Sequence, residues 1–289
     1  MSSSKRRKKE DRPVLAVCYD FDKTLSPDNM QAQGYLQSIN YEDQEEFWKE
    51  ANDIANENEM DVTLSWMHLM LRKSRGKELF RRDRLRKYGS GIALYPGVDT
   101  WFSRLEEYGS SRGVILEHYI ISSGLREMIE GTSIAENFEK IYASSFYYDE
   151  DGVAVWPAQV VNFTNKTQFL FRISKGVLDI NDEAVNHYFR PEELRIPFRN
   201  MVYLGDSDTD IPCMKLVNSY GGSSIGVYDP HKGNKNRVRQ LIEEGRIGYF
   251  AAADYSEGTE LDQLIKDIID RTAISEKLED KHYEKLKEK

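Results

Sequence analysis

Four aspartates and one short run of small polar residues carry the chemistry open to this sequence. Asp20 and Asp22 stand in Asp20-Phe21-Asp22-Lys23-Thr24, directly after the apolar run 14–19; Asp206 and Asp210 follow a second apolar run, 201–204. In extended chain, side chains at i and i+2 share a face, so Asp20 and Asp22 can enter one pocket. Carboxylates gathered in one cleft repel each other unless a cation joins them, and an all-oxygen donor set selects Mg2+. A third apolar run, Tyr119 to Ile121, ends in Ser122-Ser123-Gly124. At a strand-to-helix turn, the Ser122 hydroxyl and the amides of Ser123 and Gly124 suit phosphate oxygens. Lys166, opening a helical pattern, can add a positive charge. Singly these signals are weak, because Asp-x-Asp recurs by chance, Ser before Gly marks turns, and most lysines are on the surface. The ordered set is far more specific.

Placing these residues together requires a scaffold. The three apolar runs are short and end abruptly, the pattern of strands buried on both faces of a parallel sheet. Residues 224–228 and 248–252 read as further strands, and 97–108, 166–179, 210–217 and 261–269 as helices. In such sheets ligands bind beyond the carboxyl ends of the strands, where the polar residues fall. The expected fold is α/β, a doubly wound, Rossmann-like, mostly parallel sheet. Residues 27–91 show helical spacing instead, at Phe47 and Ile54, then Leu64, Met67 and Leu71. They exceed what a crossover helix needs and read as an inserted helical cap. The core is then 13–26 and 92–272, with a hairpin at 142–164 that turns at Asp149-Glu150-Asp151-Gly152. Tyr147, Tyr148 and Trp156 on that hairpin either line a pocket or cover the core. Residues 1–12 read as a disordered basic arm and 273–289 as a charged helical tail.

A net charge of −9 argues against whole-surface binding to nucleic acid or anionic membrane. Within the cap, charge is divided. Residues 42–61 are rich in Glu and Asp, while 72–87 carry Arg72, Lys73, Arg75, Lys77, Arg81, Arg82, Arg84, Arg86 and Lys87. The basic stretch is either a lure for anionic substrate or a solvated face complementing a neighbouring helix; the second is favoured. Cys18 and Cys213 allow no disulfide framework or thiolate metal site and read as buried thiols. No apolar run approaches the ~20 residues of a membrane span, and cytoplasmic residence is expected.

In order, the polar elements resemble the four motifs of the haloacid dehalogenase-like hydrolase superfamily: Asp20-Phe21-Asp22-Lys23-Thr24, Ile120-Ile121-Ser122-Ser123-Gly124, Lys166, and Gly205-Asp206 through Asp210. The helical insertion and the hairpin are similar to the phosphoserine-phosphatase-like branch. The resemblance implies a nucleophile at Asp20 and, at Asp22, a proton donor to the leaving alkoxide that later deprotonates water. It implies Mg2+ held by Asp20, the backbone carbonyl of Asp22, and Asp206, with Asp210 in or next to that shell. Ser122 and Lys166 would stabilise phosphate oxygens, Thr24 would brace the first motif beside them, and Thr209 would add a contact. The implied substrate is a small phosphorylated metabolite. Amino-acid-specific members carry a Glu shortly after the first motif; Ser26-Pro27-Asp28-Asn29-Met30 offers only Asp28. A phosphotransferase or phosphomutase on the same core is the nearer alternative. A non-catalytic protein binding RNA or an acidic partner through 72–87 is the other, and it leaves the catalytic set unexplained.

Overall fold

The computed structural model describes residues 6–75, 80–232 and 235–288. Strands β1 (Val14–Tyr19), β2 (Ile115–Leu125), β3 (Phe138–Tyr148), β4 (Ala154–Gln159), β5 (Met201–Gly205), β6 (Ser223–Tyr228) and β7 (Tyr249–Ala252) form one sheet. Its order is β4-β3-β2-β1-β5-β6-β7, with every pair parallel except antiparallel β3–β4. The chain winds outward from β1 in both directions, which is the doubly wound α/β fold expected from the sequence.

Helices α1 (Tyr35–Ser38), α2 (Gln44–Glu57), α3 (Val62–Ser74), α4 (Arg82–Gly89) and α5 (Val98–Ser111) lie between β1 and β2. After β2 come α6 (Arg126–Ile129), α7 (Thr167–Lys175), α8 (Ile211–Ser219), α9 (Lys235–Glu243) and α10 (Glu260–Lys287). Strand β1 shows why its run is wholly apolar. Leu15, Val17 and Tyr19 pack with Trp101, Phe102 and Leu105 of α5 and with Ile265 and Ile269 of α10. Val14, Ala16 and Cys18 face the other way, onto Phe169 and Ile173 of α7 and Met214 and Val217 of α8. A strand buried on both faces has no polar side for water.

Helices α2 and α3 pack through Phe47, Ala51, Trp66 and Met70. Asp43 and Asp61 cap them, accepting from the amides of Glu45 and of Thr63 and Leu64. Between these helices, Glu50 pairs with both Arg72 and Lys73. Arg86 pairs with Glu130 at 2.6 Å, and Arg82 lies over the Tyr148 ring. Residues 76–79 of the basic stretch lie outside the described residues. The contacts of Arg72 and Lys73 fit the complementary-face reading.

Three expectations need correction. Strand β3 begins at Phe138, before the expected hairpin, and pairs parallel with β2 before turning antiparallel to β4. Glu139 and Lys140 hide it in the sequence; both are exposed there. Of the hairpin aromatics, Tyr148 packs against the core, but Tyr147 and Trp156 are 60% and 71% exposed and neither line a pocket nor cover the core. Residues 1–5 lie outside the described residues, but 6–12 are not a free arm. The Arg7 amide donates to Gly176 O at 2.9 Å, and its guanidinium meets Glu117 and Glu139 at 3.1 and 2.7 Å. Glu10 pairs with buried Arg195 at 2.6 Å. Arg7 has acidic partners on the sheet, which composition cannot show.

Candidate active site

The carboxyl ends of β1, β2 and β5 lie side by side, and their trailing residues face one cavity of about 580 Å³. Asp20 follows β1, and its amide donates to Leu204 O of β5 at 2.9 Å. A tight turn follows, in which the amides of Thr24, Leu25 and Ser26 all donate to Phe21 O. Lys23 takes a left-handed conformation (φ 58°) within it. The turn presents Asp22 to the cavity, where its Oδ1 accepts the Met30 amide at 2.8 Å. Across from it, a Cβ on Gly124 would fall 2.2 Å from Met30 Cε and 3.1 Å from Asp22 Oδ2. Glycine lets the end of β2 approach this closely.

After β5, Asp206 enters the cavity and Asp210 precedes α8. A Cβ on Gly205 would lie 2.5 Å from Asp210 Oδ2, so glycine is needed here too. Lys166 is fully buried, with Nζ 2.7 Å from Asp210 Oδ1 and 3.3 Å from Asp20 Oδ1. Asp210 also accepts the Tyr203 hydroxyl at 2.8 Å and the Ser207 hydroxyl at 3.1 Å. Its carboxylate thus holds Lys166 and the loop after β5 in register. Lys175, the competing lysine, points to the carbonyls of Val185 and His187 instead.

Asp20, Asp206 and Asp210 bring carboxylate oxygens within 4.8 Å of one another. Burial, and then the Asp210 charge, pushes Asp20 up to about 6 against the pull of Lys166. Burial, then Asp20, pushes Asp22 up to about 8. Burial with Asp210 and Asp20 also raises Asp206 well above the usual carboxylate range. Burial disfavours charge on Lys166, but Asp20 and Asp210 outweigh it and hold the ammonium above its ordinary value. Three carboxylates facing one ammonium leave two negative charges in excess, and Asp20 Oδ1 accepts no hydrogen bond. This hard-oxygen donor set fits a divalent cation.

Ser122, Ser123 and Thr209 line the cavity. Gly124 lines it too, but its amide donates to Ser122 Oγ at 3.1 Å, not toward open space. The Asp22 carboxylate stands outside the cluster of three. Thr24 does not line the cavity; its side chain is buried and its carbonyl accepts the Tyr255 hydroxyl at 2.8 Å. It belongs to the turn and not to a phosphate cradle. Asp28 is also absent from the lining, its two oxygens taken by the Asn29 amide and Gln44 Nε2. The opposite wall, with Gln31, Trp48, Asp61, Trp66, Asn162 and Phe163, went unseen in the sequence. Only the N-cap position of Asp61 before α3 was a readable signal there.

A protein-family profile, haloacid dehalogenase-like hydrolase, matches residues 17–215. An uncharacterized protein of Borreliella burgdorferi is 27% identical over 276 residues, spanning 86% of this chain and 94% of that one. Among solved structures, a probable phosphoserine phosphatase from Vibrio cholerae superposes with a TM-score of 0.56 at 14% identity, over 93% of this chain and 67% of that one. A substrate-bound phosphoserine phosphatase gives 0.54 at 14% identity, over 89% and 99%. The fold of those structures is the fold seen here. With motifs that meet at one sheet edge and a profile spanning more than half its length, this chain belongs to the haloacid dehalogenase-like hydrolase family.

Proposed function

We propose that this hydrolase is a Mg2+-dependent phosphatase that cleaves a small phosphate monoester through a phosphorylated Asp20. The observation that carries this reading is the meeting of Asp20, Ser122 and Asp206 in one cavity, with buried Lys166 behind them. Asp20, the Asp22 carbonyl and Asp206 would hold Mg2+, with Asp210 beside them. When bound, the ion offsets the repulsion between a carboxylate and a phosphate dianion. Asp20 attacks phosphorus in line, forming the acyl phosphate as the bond to the alcohol oxygen breaks. Asp22, held protonated near neutral pH by burial and by Asp20, gives its proton to the departing alkoxide. Water then loses a proton to Asp22 and attacks phosphorus, which frees Asp20 and inorganic phosphate. The Ser122 hydroxyl, the Ser123 amide and Lys166 would balance charge on the phosphate oxygens.

Residues 27–91 are read as a cap over this centre, and the protein as cytoplasmic; no described helix is long and apolar enough to cross a membrane. The RNA-binding alternative loses support because Arg72, Lys73 and Arg86 have acidic partners. The test is phosphate release from a panel of monoesters. Activity should require Mg2+, vanish in EDTA and return on adding Mg2+, with Ca2+ a poor substitute because it favours higher coordination. Full turnover in EDTA after dialysis would overturn the metal dependence. Transfer to an added alcohol faster than release to water would make the protein a phosphotransferase.

A further inference from the structure

At about 580 Å³ the cavity has room for an alcohol beside the phosphate. Among the described residues that line it, Lys23 is the one cation; Lys166 is buried behind the wall. Lys23 is exposed and forms no ion pair with a described acid, unlike Arg72, Lys73 and Arg86. Its φ of 58° is one that glycine adopts freely and a larger residue only at a cost. A side chain kept in such a conformation at the rim of a ligand cavity points to a role for that side chain. Burial raises Asp22 and Asp206, and the Lys23 charge is near enough to oppose it at both.

The alcohol must lie on the Asp22 side of phosphorus, because Asp22 protonates its departing oxygen while Ser122, Ser123 and Lys166 take the phosphate oxygens. Lys23 follows Asp22 in the same turn and lines the same cavity. That places its ammonium beside the alcohol. Two other exposed lining residues, Phe163 and Val62, are 55% and 47% exposed and carry no charge. Asp61 is the one acid of the lining outside the catalytic turns, and its Oδ1 accepts the amides of Thr63 and Leu64 at 2.8 and 3.1 Å. Its Oδ2 accepts Asn162 Nδ2 at 2.6 Å, so both oxygens already serve the local fold. A cationic alcohol would meet a like charge at Lys23, and a neutral one would leave that charge unanswered. An anionic alcohol gains a counterion among carboxylates that would otherwise repel it.

Resting on the phosphatase reading above, we infer that Lys23 selects monoesters whose alcohol carries its own net negative charge, a carboxylate or a second phosphate. The ammonium pairs with that anion while Asp22 protonates the bridging oxygen. The full chain with Mg2+ should be offered two matched pairs: phosphoglycerate against glycerol phosphate, and a hexose bisphosphate against the hexose monophosphate. Phosphoserine, phosphocholine and p-nitrophenyl phosphate complete the panel. The anionic member of at least one pair is expected to exceed its neutral partner, phosphoserine and phosphocholine by at least about fivefold in kcat/KM, and the pair that responds identifies the anion. Lys23→Gln should reduce that preference at least about fivefold, chiefly through KM, and Lys23→Arg, which keeps the charge, should retain it. The wild-type preference should itself shrink between roughly 0.05 and 0.3 M salt, a readout that needs no variant to fold. Glycerol phosphate, phosphoserine or phosphocholine turned over as well as both anionic esters overturns the inference alone. So does an equal loss on all esters in Lys23→Gln, which would put the ammonium on the transferred phosphate. No turnover of any ester, p-nitrophenyl phosphate included, overturns the phosphatase reading and the inference with it.

Discussion

On one side of the cavity, Asp20, Ser122 and Asp206 sit on or just beyond three adjacent strands of a parallel sheet; on the other, Trp48 and Trp66 sit on helices α2 and α3. The first set is positioned by backbone pairing. Tyr19 is in register with Ile120 and with Leu204, so the residues that follow these strands emerge at one level. The second set is positioned by side-chain packing, with Phe47, Ala51 and Met70 beneath the tryptophans. A strand end cannot shift without disturbing its ladder, whereas packed helices can slide by small amounts. The carboxylate side is therefore held rigidly and the aromatic side is left adjustable, and each side can be broken separately.

The largest effect should come from Asp20→Asn. Turnover is expected to fall by at least about 10³-fold, because the attacking oxygen is lost while phosphate donors and the opposite wall remain. The melting temperature without metal should not fall, since a buried negative charge leaves a cluster of like charges. Residual activity above a tenth of wild type, measured by phosphate release, would mean that another group attacks.

Asp22→Asn comes next, and its effect should depend on the leaving group. With a sugar or glycerol ester, loss of the proton donor should slow the first step by roughly 10²–10⁴-fold. Nitrophenolate departs with little protonation, so p-nitrophenyl phosphate should suffer much less in that step. Water still lacks its base, so the phosphoenzyme should accumulate and give a burst of nitrophenolate before slow turnover. Equal losses on both esters without a burst would make Asp22 chiefly an organiser of the turn at Met30.

The same division explains what could be read in the sequence. Asp20, Ser122 and Asp206 were legible because each closes a wholly apolar run, and runs buried on both faces become neighbouring strands of one sheet. Lys166 was legible only in the company of the others; its burial beside Asp210 is a tertiary fact. Gln31, Trp48 and Phe163 were not legible, because no periodicity tells which side chains of a helical insertion turn toward a distant strand end. Strand β3 was hidden by Glu139 and Lys140, whose exposure permits charge where β1 permits none. Thr24 follows Asp22 in the chain but stays in the turn, which presents Asp22 and buries its own Thr.

Two glycines sharpen the contrast at smaller scale. A methyl group at Gly205 would meet Asp210 Oδ2, Cγ and Cβ at 2.5, 2.6 and 2.8 Å. Asp210 is pinned by Lys166 and Tyr203, so Gly205→Ala should cost about 1–3 kcal/mol in denaturant unfolding and lower kcat at least about tenfold. At Gly124 the nearest obstacle is Met30 Cε, the end of a flexible side chain. Gly124→Ala should therefore cost less stability than Gly205→Ala. The reverse order would locate the rigid part of the site at β2.

The smallest effect is expected from the basic stretch, and it asks whether a third region contributes at all. Arg72 and Arg86 are 43% and 49% exposed, they pair with Glu50 and Glu130, and neither lines the cavity. Exposed pairs of this kind contribute about 0–1 kcal/mol each. A double change, Arg72→Gln with Arg86→Gln, should therefore lower the melting temperature by only about 2–4 °C or less. If these charges only complement neighbouring acidic side chains, KM for a phosphate ester should stay within about twofold of wild type and keep the same salt dependence. If they draw anionic substrate toward the cavity, removing them should raise KM at low salt, and the difference should fade between roughly 0.05 and 0.3 M salt as screening shortens the field. A several-fold, salt-sensitive rise in KM would extend the functional surface beyond the two walls. An unchanged KM would confine recognition to the aromatic wall and the carboxylate cluster it faces.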